Sequence, residues 1–167
     1  GIPVVAIELK NQLTGQSVDD AMRQWEYNRN PKEYAFGFNK RVLAYFACDL
    51  YNVYMTTQLN GAETVFLPFN QGSNGAGKDG GAGNPTTEDG KYVTSYFWEN
   101  VLQKDKLLDI LQKFISYERS EKKKIMPDGS TKTTVSSKVI FPRYHQLDVV
   151  RELVSHVREN GAGHNYL

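Results

Sequence analysis

The sequence predicts an α/β fold, a mixed β-sheet flanked by helices. Three observations carry that expectation. Short apolar runs at 4–9, 41–47, 53–57 and 63–69 have the length and composition of strands. Segments 18–29 and 105–117 repeat apolar residues at helical spacing. The first of these helices falls between the first two strands, giving the order strand, helix, strand, strand, strand.

Each element has its own warrant. Val4 to Leu9 are nearly all apolar, as in a strand covered on both faces. Strand side chains alternate, so Glu8 and Lys10 project together while Ile7 and Leu9 point the other way. Thr14, Gly15 and Gln16 make a turn. Ser17 has the chemistry of a helix N-cap, with Asp20 three residues on and Asp19 in the first turn. Ala21, Met22 and Trp25 form the apolar stripe of that helix, which stops at Asn30 and Pro31. Asp49 to Asn52 turn the chain between strands, and Asn60-Gly61 is a hairpin signal. Six glycines between Gly72 and Gly83 mark residues 70–91 as a long surface loop, which the aromatic cluster Tyr96, Phe97 and Trp98 packs down at its far end.

Leu107, Leu108, Leu111, Phe114 and Ile115 make 105–117 an amphipathic helix. Residues 118–138 are polar and lysine-rich, with a turn signal at 126–130, and read as a basic linker or hairpin. Tyr144, Leu147, Val150, Leu153, Val154 and Val157 place a last helix over 143–158, closed by Asn160-Gly161-Ala162-Gly163. Asn165-Tyr166-Leu167 reads as the start of another strand.

The totals bound the function classes. A chain of 167 residues is long enough for a core. Twenty basic residues against nineteen acidic ones leave the question of nucleic acid to local patches. Cys48 is the sole cysteine, which excludes an internal disulfide and fits a reducing cytoplasm. No apolar run approaches the roughly 18–20 residues of a membrane span, and no signal-peptide pattern is present. Gly1 leads directly into a strand, so the expectation is a piece of a longer chain.

Two stretches carry candidate chemistry. Hard cations such as magnesium take carboxylate and carbonyl oxygens, and a strand offers Glu8 and the Leu9 backbone carbonyl. Lys10 can then orient a water or stabilise developing charge on a phosphate. The competing reading is a solvated ion pair worth about 0–1 kcal/mol. On the next helix, Gln24 with Trp25, Tyr27 and Arg29 nearby can hold phosphates or position a ligand. The second stretch is Phe141-Pro142-Arg143-Tyr144-His145-Gln146. A glutamine amide can read adenine bidentately, with Tyr144 or Arg143 near the base, and the competing reading is an ordinary helix N-terminus. His145, His156 and His164 lack metal-site spacing. The glycine run is not a phosphate loop, because Gly83 is followed by Asn84 and Pro85.

Taken together these stretches are more specific. Ile2 to Asn11 resembles the third nuclease motif of the R subunits of type I restriction enzymes. So do Asp20-Ala21-Met22-Arg23-Gln24, Met55-Thr56-Thr57, Phe97-Trp98-Glu99, Leu107-Leu108-Asp109-Ile110-Leu111 and 141–148, in the family's order. The resemblance implies a PD-(D/E)xK nuclease domain followed by an ATP-driven translocase motor of the superfamily 2 helicase type. It implies Glu8 as a Mg²⁺ ligand, Lys10 as the catalytic lysine, Gln24 in the family's glutamine motif and Gln146 as the adenine-reading glutamine. Tyr27 stands one position short of a tyrosine often found in that motif. The family's other metal-binding aspartate and its phosphate loop have no counterpart here, so the fold is expected to be incomplete at its N-terminus.

The expected division is a nuclease-like domain over 1–117, a basic linker over 118–138 and the start of a motor over 139–167. The implied parent is a type I site-specific deoxyribonuclease that uses ATP and Mg²⁺ to cleave unmodified duplex DNA. Its partners are methyltransferase and specificity subunits in the cytoplasm, with no membrane. The piece alone is expected neither to cut DNA nor to hydrolyse ATP. The alternative is a non-catalytic DNA-binding or subunit-docking module on the same fold, or another nuclease of that fold.

Overall fold

A computed structural model describes residues 2–87, 90–127 and 129–163. It is a mixed α/β structure built on a four-stranded sheet in the order β1-β2-β3-β4. The strands are β1 (Val5–Leu9), β2 (Ala44–Cys48), β3 (Val53–Thr56) and β4 (Leu67–Pro68). β1 runs parallel to β2, with Glu8 opposite Ala47 and Leu9 opposite Cys48. The other two pairings are antiparallel. Between β1 and β2 lies helix α1 (Val18–Tyr27), the crossover a parallel pair requires.

Helix α1 begins as its sequence dictates. The Ser17 backbone N–H donates to Asp20 Oδ2 at 2.8 Å, satisfying one of the donors a helix start leaves open. Ala21 and Trp25 face the sheet, and Trp25 Nε1 donates to the Phe46 carbonyl at 2.9 Å. Trp25, Phe36 and Tyr45 meet edge to face, with Val42, Ala47 and Leu59 around them. The opposite face of the sheet buries Phe46, Val53, Met55 and Phe69. Tyr96 and Phe97 pack there at a π-helical turn over Phe97–Val101, as does Ile110 of α2 (Lys104–Lys113). β2, buried at all five positions, therefore separates two apolar layers.

The 63–69 run pairs only at Leu67–Pro68. The expected strand is cut short because Thr64 Oγ1 accepts the Asn60 N–H and donates to the Gly61 carbonyl, holding 60–64 as a turn. Proline fits such an edge pairing because it has no N–H to offer a further strand. Within 70–87 the glycine loop is pinned largely by polar contacts, with Ala76 packed against the core. Gly72 and Ser73 donate to the Gly83 and Gly81 carbonyls, and Asn84 Nδ2 donates to the Tyr51 carbonyl at 2.8 Å. A Cβ on Gly80 would stand 2.9 Å from the Asn74 nitrogen, so only glycine fits that approach.

Residues 118–138 lie within a long antiparallel ribbon, β5 (Ser116–Ile125) with β6 (Thr131–Ile140). After it the chain returns to the main core. Phe141, Tyr144 and Leu147 are buried with Phe46, Phe69 and Phe97, and Tyr144 opens helix α3 (Tyr144–Asn160). Phe141, Tyr144 and Leu147, expected at the start of a second unit, thus share one core with the sheet. The strand expected at Asn165-Tyr166-Leu167 lies outside the described residues. Among the described residues no helix is long and apolar enough to cross a membrane.

Candidate functional site

The parity of β1 places Ala6, Glu8 and Lys10 on the face covered by α1, and Val5 and Ile7 on the other. Lys10 Nζ donates to Gln24 Oε1 at 2.6 Å. Arg29, two residues past the end of α1, donates to Glu8 Oε1 through Nε at 2.8 Å and through its second nitrogen at 2.5 Å. Glu8 is only 14 % exposed in its side chain, against 37 % for Arg29. Three residues singled out by sequence, Glu8, Lys10 and Gln24, are therefore brought together at one end of the sheet. Tyr27 is not brought in; it is 69 % exposed on the outer side of α1.

The electrostatics are asymmetric. Arg29 compensates Glu8, while Lys10 has a neutral amide as its hydrogen-bond acceptor and no ion pair among the described residues. Two cations and one carboxylate leave the cluster net positive, which suits a phosphate oxygen. β1 is the edge of the sheet. The Lys10 N–H bonds Cys48 and the Val4 carbonyl receives Leu43, so the even-numbered residues turn their backbone toward β2. By the same alternation the Leu9 carbonyl points off the open edge.

Sequence reasoning missed two residues. Arg29 was visible only as a basic neighbour of Gln24, and the register that brings it to Glu8 needed the fold. Asp49 follows β2 directly, at the level of Lys10, and is 5 % exposed. It is the carboxylate on the strand next to β1, but its oxygens are committed. Oδ1 accepts the Tyr51 and Asn52 N–H groups at 2.8 Å each, and Oδ2 accepts the Val18 N–H at 2.9 Å and Gln12 Nε2 at 3.3 Å. It fastens the start of α1 to the end of β2. The signal in the sequence was an acid closing an apolar strand.

These residues do not form a magnesium site by themselves. Both Arg29 bonds fall on Glu8 Oε1, which leaves Oε2 and the Leu9 carbonyl as oxygen donors. Among the described residues no three or more acidic, histidine or cysteine groups are placed to hold a metal ion. A divalent ion needs further ligands, from phosphate or another carboxylate.

The adenine-reading set is corrected in part. Tyr144 is 4 % exposed and meets Tyr96 edge to face, with ring centroids 4.7 Å apart, so no base can stack on it. Gln146 Oε1 accepts the Arg143 N–H at 3.0 Å and caps α3. Arg143 is exposed and, with His145 and the glycine loop, lines a groove of about 180 Å³. That is smaller than the roughly 300 Å³ at which small-molecule pockets begin. A groove of about 700 Å³ lies between α2 and α3 on the other side of the sheet from Glu8.

No protein family model, no curated protein and no solved structure matches this chain.

Proposed function

We propose that this chain carries part of a phosphodiester-cleaving site of the PD-(D/E)xK type, within the R subunit of a type I restriction enzyme. One observation carries the reading: Glu8 and Lys10 share a face at the end of an edge strand, and Gln24 of the following helix holds the lysine. Lys10 faces the scissile phosphate and stabilises charge on it. Arg29 holds the Glu8 carboxylate in position while duplex DNA is absent, and Gln24 fixes the direction of the ammonium. Mg²⁺ enters this proposal only together with a carboxylate beyond the described residues. The ATP-driven motor and the methyltransferase and specificity subunits belong to it through the resemblance of the motifs, with Arg143 and the Gln146 amide nitrogen as groups available to a nucleotide.

The test is made in the full-length subunit. Glu8→Ala and Lys10→Ala are each expected to abolish DNA cleavage and to spare ATP hydrolysis. Cleavage that survives both substitutions would transfer the support to a non-catalytic DNA-binding or docking module.

A further inference from the structure

The β5–β6 ribbon is the part of the molecule that folding explains least. Every residue of β5 is exposed, and in β6 only Val139 is buried, with Ser137 and Ile140 half-buried. A two-stranded hairpin that buries so little apolar surface is marginal in water. What distinguishes this one is how its charge is laid out.

Near the base, cations have acidic partners: Lys138 Nζ meets Glu118 across the strands at 2.9 Å, and Arg119 meets Glu121 at 3.3 Å. Toward the tip this changes. Residues 122–134 contain Lys122, Lys123, Lys124 and Lys132 against Asp128 alone. Register and alternation put Lys122, Lys124 and Lys132 on one face, with Lys124 directly opposite Lys132. Like charges facing each other across a ladder are destabilising. The same face carries Thr134, Ser120 and Ser136, with the two serine hydroxyls bonded at 2.7 Å. Lysines interleaved with hydroxyls are a phosphate-binding composition.

Dimensions favour duplex nucleic acid. Lys122 and Lys124 stand two residues apart, about 7 Å along β5, and Lys132 lies across from Lys124. A two-stranded ribbon fits a major groove about 12 Å wide.

We infer that the distal half of the β5–β6 ribbon is a duplex-DNA backbone contact, in which Lys122, Lys124 and Lys132 engage phosphates of a site chosen without regard to sequence. The polyanion relieves the repulsion between Lys124 and Lys132. The ribbon thereby acts as an arm that holds duplex to a protein whose candidate site acts on it. This inference rests on the DNA-acting reading above, and its test separates the two.

The experiment measures anisotropy of a labelled random-sequence duplex of about 30 base pairs across a salt series, with the intact chain. Three proteins are compared: the parent, Lys122→Gln/Lys124→Gln/Lys132→Gln, and the charge-matched control Lys32→Gln/Lys78→Gln/Lys104→Gln. The ribbon triple is expected to bind at least about tenfold more weakly at low salt. Its slope of log K against log salt should fall by about 0.9 per lysine, or about 2.7 in all. The control should stay within about twofold of the parent, and Lys122→Arg/Lys124→Arg/Lys132→Arg should keep the parent slope. Circular dichroism verifies that each variant is folded. Equal losses in the ribbon and control triples would overturn the inference, since net charge alone would then explain binding. So would tighter binding to single-stranded RNA, or to phosphatidylserine vesicles, than to duplex. Duplex binding that persists in the ribbon triple removes the arm but keeps the DNA-acting reading. A parent chain that binds no duplex at low salt removes the arm, while the cleavage test on Glu8 and Lys10 still decides the site.

Discussion

Replacing Phe141 by alanine tests whether the segment after the ribbon is part of the same cooperative unit as the sheet. Phe141 is buried, with its ring centroid 5.7 Å from Phe46 and 6.1 Å from Phe69. Truncating a buried phenylalanine costs about 3–5 kcal/mol, and two aromatic contacts of about 0.5–1.5 kcal/mol each lie within that figure. Total stability of a domain is about 5–15 kcal/mol, so the loss is large. With a urea dependence of about 2 kcal/mol/M, the unfolding midpoint falls by roughly 1.5–2.5 M. The reporter is Trp25, followed by fluorescence in a Trp98→Phe background. Trp25 packs on the opposite face of the sheet from Phe141, so it responds only if both faces unfold together. A Trp25 transition unmoved by Phe141→Ala would refute the reasoning and make 139–163 a separate unit.

Three further outcomes are expected. Asp49→Ala strands three backbone N–H groups that the carboxylate now satisfies, and should cost at least about 3 kcal/mol in chemical denaturation. Burial, followed by the nearby Glu152, raises the Asp148 carboxyl above its ordinary range. Its charged form is therefore disfavoured in the folded chain. That cost is fully present at neutral pH and disappears as pH falls through the raised value. Asp148→Asn should accordingly leave Tm unchanged or higher at neutral pH, with the difference closing in the acidic range. Cys48 is buried, and desolvation with Asp49 beside it pushes its thiol up to about 12. Native protein at mild alkaline pH should resist alkylation, and labelling in a denaturant series should follow global unfolding.

Much of the fold is legible in local chemistry. The Ser17–Asp20 capping pair, the Trp25 stripe and the alternation along β1 depend on neighbours within a few residues, and each is found where those neighbours place it. The 63–69 run misled because apolar composition says nothing about Thr64, whose hydroxyl bonds lock the turn. The ribbon was ambiguous because periodicity signals a buried face, and β5 buries none of its residues. At the site, the common face of Glu8 and Lys10 follows from alternation alone. The pairing of Glu8 with Arg29 spans 21 residues and depends on how α1 crosses the sheet. Tyr144 shows the limit of motif reading, since a core aromatic has the same letter as one that stacks on a base.

The most direct test of the proposed function is the single-turnover rate of DNA cleavage by the full-length protein, assembled with the proposed partner subunits and carrying Lys10→Ala. With the ammonium facing the scissile phosphate, the rate should fall by about 10²–10³-fold while DNA affinity changes little. A cleavage rate within about twofold of the parent would contradict the claim and leave Lys10 as a surface residue held by Gln24.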